Sequence, residues 1–250
     1  MSATVGWPVG YALLERNVID STNEEARRRA AAGEKGPLWI MAARQSAGRG
    51  RRGREWQSSQ GNLAATLLLR PEKPAGECAQ LSFLAALAVS DMLARFAPHA
   101  DLALKWPNDV LAGGSKIAGI LLESESNAEG TAAWLAVGIG VNLTAFPEDT
   151  EFPAISLAAI GAAPPAPKDA LLHLAARFAK WYEVWRTVGF APVREAWLAR
   201  ASGLGSRIRA RLANEEIIGV FQGIDESGAL LLGLPGGLTR AIAAGEVLFG

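Results

Sequence analysis

Four short clusters hold the residue types that can do chemistry: Ser21-Thr22-Asn23, Gln45 with the run Gly48 to Trp56, Lys105-Trp106-Pro107-Asn108-Asp109, and Lys116 to Glu123. The second is the densest. Between Gly48 and Arg54 stand four arginines and three glycines, in a chain whose formal net charge is zero. Self-repelling charge with nothing apolar to bury cannot be core, and glycine at alternate positions is costly in a helix or strand, so this stretch is a loop. Glycine lets backbone N–H groups approach an anion, and arginine offers a planar fork of donors matched to phosphate or carboxylate. Taken alone, the window reads equally as a loop that orders around a phosphorylated ligand and as a solvated basic patch, a localisation signal or a nucleic-acid tract.

The elements that must position these clusters follow from periodicity and punctuation. Tyr11 to Ile19 reads as a strand, broken at Asp20. Ser21 with Glu24, or Thr22 with Glu25, fits a capping box opening a helix to Ala32, which Gly33 stops. A helix cap accounts for Ser-Thr-Asn, and the free N–H groups of the same helix start can also meet a ligand. Leu38 to Ala43 is a buried strand running into Arg44 and Gln45, and Asn62 to Leu69 is the next, so loop 46–61 joins two strands. A long polar loop there is more often functional than idle. Glu77 to Phe96 carries a helical stripe through Leu81, Leu84, Ala85, Ala88, Met92 and Phe96.

Leu102 to Leu104 leads into Lys105. Pro107 then fixes the backbone, and Asn108 with Asp109 stand as a polar pair at the mouth of a strand. Val110-Leu111, a turn at Gly113-Gly114, and Lys116 to Glu123 form a hairpin. Ala132 to Val141 is a buried strand ending at Asn142. Its alternating Gly138 and Gly140 clear one face for a flat ligand or another backbone, or for close packing against a helix. Proline-rich loops follow, then an amphipathic helix from Ala170 to Trp185 with an aromatic core face, and a second helix from Pro192 to Ala201. From Gly205 the pattern is all strand and turn: 207–212, 217–224, 230–232 and 239–243. Both element types in mixed order, with hairpins, predict an α+β fold with a small β-barrel after a boundary at 202–205.

Composition narrows the classes. Half of the 250 residues are hydrophobic, and 25 basic residues balance 25 acidic ones, so there is no general footprint for nucleic acid or an anionic membrane. One cysteine, Cys78, excludes an intrachain disulfide, and with only His99 and His173 beside it a Cys/His metal site is not expected. Cys78 heads an apolar helical pattern and reads as packing. The N-terminus lacks a signal-peptide layout, and no apolar run approaches the ~20 residues of a membrane span, so the expected address is cytoplasmic.

The four clusters in this order, with Gly138-Ile-Gly-Val-Asn142 after them, resemble the biotin–protein ligases (biotin–[acetyl-CoA-carboxylase] ligases) over nearly the full length. The basic loop and Lys-Trp-Pro-Asn-Asp are the specific motifs. The resemblance implies a mixed-sheet catalytic domain, 1–202, related to lipoate ligases and class II aminoacyl-tRNA synthetases, and an SH3-like domain, 203–250. It implies that biotin and Mg-ATP give biotinyl-5′-AMP and pyrophosphate, and that a lysine of a biotin carboxyl carrier domain then takes the biotin. Some members add an N-terminal DNA-binding repressor domain; with Ser-Thr-Asn starting at residue 21, none is expected here.

By that resemblance, Ser21, Thr22, Asn23 and Gln45 read the ureido ring, with Arg49, Gly50, Arg51, Lys116, Gly138 and Gly140 completing the biotin site. Arg51, Arg54, Trp56, Asn108, Lys116 and Asn142 hold the nucleotide, Trp56 covering adenine and Asn142 its edge. The catalytic set is Lys116, Arg51, Arg54, Asp109 and Asn108. Physics agrees: a carboxylate attacking an α-phosphate brings two anions together, and fixed cations must be there first. Asn108 and Asp109 either place oxygens near magnesium or orient loop arginines. Lys105 is mainly structural or a supporting charge. Closure of loop 46–56 keeps water from the mixed anhydride. The rivals are a lipoate–protein ligase on the same scaffold and an Arg/Gly nucleic-acid module. The latter would stack bases on tryptophan. A sheet edge beside Ala132 to Val141 would support a homodimer.

Overall fold

The computed structural model of the chain describes residues 5–148 and 150–249. Residues 1–4 and Gly250, at the outer limits of the two expected domains, lie outside the described residues. The elements run β1 (Ala12–Ile19), α1 (Thr22–Ala31), β2 (Leu38–Gln45), β3 (Leu63–Leu69), a short α2 (Ala75–Cys78), α3 (Leu81–Phe96), β4 (Leu102–Lys105), β5 (Asp109–Ala112), β6 (Ser115–Ser126), β7 (Ala132–Val141), α4 (Pro167–Val188) and α5 (Ala191–Leu198). Then come β8 (Arg207–Arg211), β9 (Glu216–Ile224), β10 (Leu230–Gly233), β11 (Thr239–Ile242) and β12 (Glu246–Phe249).

Two sheets organise the chain, one in the order β1-β2-β3-β7-β6-β5-β4, the other β11-β10-β9-β8-β12. Only β1 and β2 pair in parallel, so the larger sheet is mixed and the smaller antiparallel; the fold is α+β. The period-2 alternation of strands then assigns the faces. On β3 and β7, Leu63, Ala65, Leu67, Leu135, Val137, Ile139 and Val141 meet α3 and α4 in the main core. The opposite face carries Leu68, Trp134 and Ala136 under Ala26 and Ala30 of α1. Toward the N-terminal start of α1 that second face continues as Thr66, Gly138 and Gly140, where no helix face covers it. This is where the site forms.

The smaller sheet is anchored through its turn at 225–228: Trp106 Nε1 donates to Gly228 O at 3.0 Å, and Gln80 Nε2 to Glu226 O at 3.0 Å. The buried indole of the Lys-Trp-Pro-Asn-Asp motif is thus a structural pin. Cys78 is buried, and desolvation pushes its thiol up to about 11, consistent with packing alone.

Several expectations need correction. Ser21 occupies the N-cap position, but its side chain makes no capping bond. Glu24 and Glu25 are engaged instead by arginines: Glu24 by Arg27 and Arg49, Glu25 by Arg28 and Arg29. A charge-assisted pair outcompetes a neutral capping bond for the carboxylate. The strand Ala132–Val141 lies between β3 and β6 and presents no edge for a dimer; the edges are β1 and β4. The stretch 75–96 is long and apolar enough to cross a membrane by length and composition, but 78% of its apolar 18-residue window is buried inside the fold. Finally, β12 was not foreseen: four residues after Gly245 carry too little pattern to read as a strand.

Candidate active site

A cleft of about 400 Å³ opens on the uncovered face of the large sheet. It is lined by all four clusters: Ser21, Thr22, Asn23, Gln45, Arg49, Gly50, Arg51, Arg54, Trp56, Asn108, Asp109, Lys116, Gly138, Gly140 and Asn142. Its floor is glycine for a steric reason. A Cβ on Gly138 would overlap Asn23 Oδ1, and one on Gly140 would overlap the Trp56 indole. Of the readings open at this pair, packing against a helix residue is met at Gly138; Gly140 is covered by a loop aromatic, which neither reading named.

At one end lies an uncharged polar cluster. The start of α1 buries Ser21, Thr22 and Asn23. Thr22 donates to Gln45 Oε1 from its backbone N at 2.8 Å and its hydroxyl at 3.0 Å, and Gln45 Nε2 donates to Ser58 Oγ at 2.9 Å. The Thr66 hydroxyl stands 2.8 Å from Thr22 Oγ1 and 2.6 Å from Asn23 Oδ1, while Asn23 Nδ2 donates to Glu123 Oε2 at 2.7 Å. These bonds fix which way each amide points. The Ser21 hydroxyl, capping nothing, is left for a ligand.

The other end is cationic. Lys116 Nζ is 2.6 Å from the buried Asp109 Oδ1, a close charge contact. Asn108 donates to Ile120 O at 2.5 Å and accepts from Arg51 Nη1 at 3.3 Å. The Asn108 carbonyl oxygen thus touches a loop arginine. Burial, reinforced by neighbouring Arg52, holds the Arg51 guanidinium below its usual pKa, so an incoming anion relieves that cost. Lys105 is buried and its amine is likewise pushed down by desolvation; its Nζ sits 4.3 Å from the Phe152 ring centre and 5.4 Å from that of Phe249.

The basic loop closes between these ends. Gly50 N donates to Arg54 O at 2.7 Å and Trp56 N to Gly48 O at 3.0 Å, which folds the loop on itself. Its arginines are held from different sides. Arg49 meets Glu24 at 3.3 Å and Glu123 at 3.4 Å, Arg51 donates to Gly245 O at 3.2 Å, and Arg54 pairs with Glu246 at 2.6 Å and Glu151 at 2.9 Å. Asn142 donates through Nδ2 to Ile155 O at 3.1 Å, leaving Oδ1 as its free ligand atom.

Sequence reasoning missed Glu123, Glu151, Phe152, Thr66 and Glu246. Glu123 closes a quoted motif, Lys116 to Glu123, and that position was the available signal. Glu246 and Glu151 stand in stretches with no motif, and only the fold brings them to the loop.

The fold and cleft define a ligase that joins a small acid to a protein, and the chain belongs to the biotin/lipoate A/B protein ligase family, which matches residues 16–142. The biotin protein ligase C-terminal domain family matches residues 203–250. A biotin–[acetyl-CoA-carboxylase] ligase of Paracoccus denitrificans is 50% identical over 237 residues, covering 92% of this chain and 98% of that protein. One from Mycobacterium tuberculosis is 34% identical, covering 91% and 85%. Among solved structures, the biotin protein ligase from Aquifex aeolicus in complex with biotin and ATP superposes with a TM-score of 0.81 at 28% identity, covering 95% of this chain and 97% of that one.

Proposed function

We propose that this chain attaches biotin to a lysine of a biotin carboxyl carrier domain, of the acetyl-CoA-carboxylase type, in an ATP-dependent reaction through biotinyl-5′-AMP. The observation that carries the reading is the joining, in one cleft, of a preoriented uncharged cluster and a fixed cationic centre, as a neutral urea linked to a carboxylate requires.

Ser21, Thr22, Asn23 and Gln45 take the ureido ring over Gly138, with Arg49 and Gly50 at its rim. Lys116 and Arg51 hold the carboxylate against the α-phosphate. A carboxylate oxygen forms the bond to phosphorus, and the bond to pyrophosphate breaks. Arg54, Asn108 and Asn142 contribute to nucleotide binding, and Asn142 Oδ1 can accept from an adenine amine. Trp56, lying over Gly140 and Gly119, covers the adenine. Among the described residues no cluster of three metal-ligating side chains exists. Magnesium carried on ATP needs only one or two protein oxygens, however, and the Asp109 carboxylate fits that demand through its other oxygen, Oδ1 being held 2.6 Å from Lys116 Nζ. Bound there, the ion would neutralise the leaving pyrophosphate.

In the second half-reaction the acceptor amine attacks the biotinyl carbonyl and AMP leaves with the bonding pair. Asp109 and the adenylate's own phosphate oxygen are the proton acceptors at hand. Assignment of 1–202 as the catalytic domain and 203–250 as a small second domain is part of the proposal, supported by the separate C-terminal family match. ATP as co-substrate supports a cytoplasmic address. Lipoate, whose tail needs no urea-reading groups, would leave the Thr22–Gln45 cluster without a purpose.

The test is incubation with labelled biotin, ATP and a biotin carrier domain. Label on the carrier lysine is expected. Labelling by lipoate and not by biotin would overturn the reading.

A further inference from the structure

Two loops rim the cleft. The basic loop ends at Asn62; the other leaves Asn142, contributes Pro147, Thr150, Glu151 and Phe152 to the lining, and returns at Pro153. Leu63 of β3 pairs with Val141 of β7, so the residue before the one and the residue after the other stand at the same end of the sheet. The two loops therefore root side by side, and farther out they meet where Arg54 pairs with Glu151 at 2.9 Å.

One buried side chain joins the roots. Asn62 Oδ1 accepts from the backbone N–H groups of Leu143, Thr144 and Ala145 at 3.0, 2.9 and 3.2 Å, and its Nδ2 donates to Ala145 O at 2.8 Å. The Thr144 hydroxyl lies 3.1 Å from Gln60 O and 3.3 Å from Asn62 Oδ1. Three successive N–H groups that no strand takes up converge on one oxygen, which fixes the path of the chain just after Asn142. Gly61 permits the approach: its φ is +87°, and a Cβ there would lie 2.7 Å from Thr144 Oγ1. At its other end the second loop runs along Lys116, whose N donates to Pro153 O at 2.7 Å and whose O accepts from Ile155 N at 3.0 Å. The loop thus starts at the amide assigned to adenine and finishes at the lysine assigned to the phosphate.

We propose that Asn62 is a positioning residue for the nucleotide, acting through Asn142 and the loop behind it. The inference rests on the ligase reading above. Asn62 does not line the cleft and touches neither small substrate. Its side-chain bonds all run to 143–145, whereas the ureido cluster is tied through Thr22, Gln45, Ser58, Thr66 and Glu123. Loss of the Asn62 amide therefore loosens the nucleotide end of the cleft and leaves the biotin end standing.

The test compares Asn62→Ala, Asn62→Asp and Thr144→Val in the full chain. Asn62→Ala is expected to raise the ATP KM of biotin-dependent ATP–pyrophosphate exchange at least about tenfold, while biotin alone, titrated calorimetrically, binds within about threefold of wild type. Asn62→Asp keeps an oxygen for the three N–H groups and should bring the ATP KM most of the way back. Thr144→Val keeps the shape and removes only the hydroxyl; it should raise the ATP KM about threefold, and it decides the matter should Asn62→Ala not fold. An ATP KM unchanged in the folded variants would overturn the proposal. So would biotin and ATP affinities that fall by the same factor, as a general loosening of the fold would give, or an Asn62→Asp variant as impaired as Asn62→Ala. Failure of the wild-type protein to catalyse exchange would instead overturn the ligase reading itself, and that control tells the two failures apart.

Discussion

Lys116 is the residue on which the chemistry concentrates. Its Nζ stands 2.6 Å from Asp109 and 5.7 Å from the centre of the Trp56 ring, a compact point charge held between a carboxylate and an aromatic face. Charge fixed before the reactants meet is what lowers the barrier between two anions. Lys116→Ala should therefore cut biotin-dependent pyrophosphate exchange by roughly 10²–10³-fold with the melting temperature little changed; a loss of less than about tenfold would remove Lys116 from the centre. Lys116→Arg should not rescue, because a planar fork cannot replace a point charge in the space beside Gly119. Residues of this kind were legible in the sequence because polar types in dense clusters have no explanation as core. Glu246 and Glu151 were not, since a lone carboxylate looks like any solvated one until a fold sets an arginine beside it.

At the scale of elements, the sheet face and the first helix explain each other. Glycine at 138 is required because Asn23, at the start of α1, packs where a Cβ would be, and Asn23 is locked by Thr66 and Glu123. Gly138→Ala should displace that amide, raise the biotin KM at least about tenfold and cost about 1–3 kcal/mol in stability. A variant with unchanged KM and stability would refute the packing argument. The alternating glycines were visible in the sequence, but whether ligand, backbone or helix met them was not, since this depends on contacts with Asn23 and Trp56, far away in the chain. The same helix carries a pH dependence. The Arg28 bonds lower Asp20 from 3.8 to about 2, and Glu25 is also lowered, because its bonds to Arg29 and Arg28 outweigh the upward push of burial. Both carboxyls titrate lower when folded, so the unfolded chain binds more protons between the ordinary carboxylate range and pH about 2. Their contribution is complete above that range and fades as pH falls through it. The melting temperature of Asp20→Asn should thus depend less steeply on pH between about 4 and 2 than that of the wild type, by a small amount because the pair is exposed. Equal slopes would show that the pair contributes nothing.

At the scale of the whole molecule, the small sheet acts as a wall of the active site as well as an appendage to it. Glu246, at the start of β12, takes Arg54 at 2.6 Å and Arg52 at 3.4 Å, and the carbonyl of Gly245 beside it accepts from Arg51. Three arginines of the loop between β2 and β3 are therefore tied to the last strand of the chain and the residue just before it, across 192 to 194 residues of sequence. No local pattern announces such a tie: the Arg/Gly loop marks itself by composition, while its anchor is one glutamate on a strand too short to foresee. The Glu246 side chain is only 12% exposed, so its pairs are less screened than the Arg28–Asp20 pair, where both side chains are 43% exposed. Glu246→Gln keeps the size and removes the charge. Freed arginines should leave the loop closed for less of the time, so biotinyl-AMP should escape faster and label bystander lysines several-fold more, while one round of pyrophosphate release stays within about threefold of wild type because Lys116 and Asp109 are untouched. A leak rate equal to wild type would mean that the loop closes without its anchor; a collapse of pyrophosphate release would mean that Glu246 supports the reaction centre itself and not the lid.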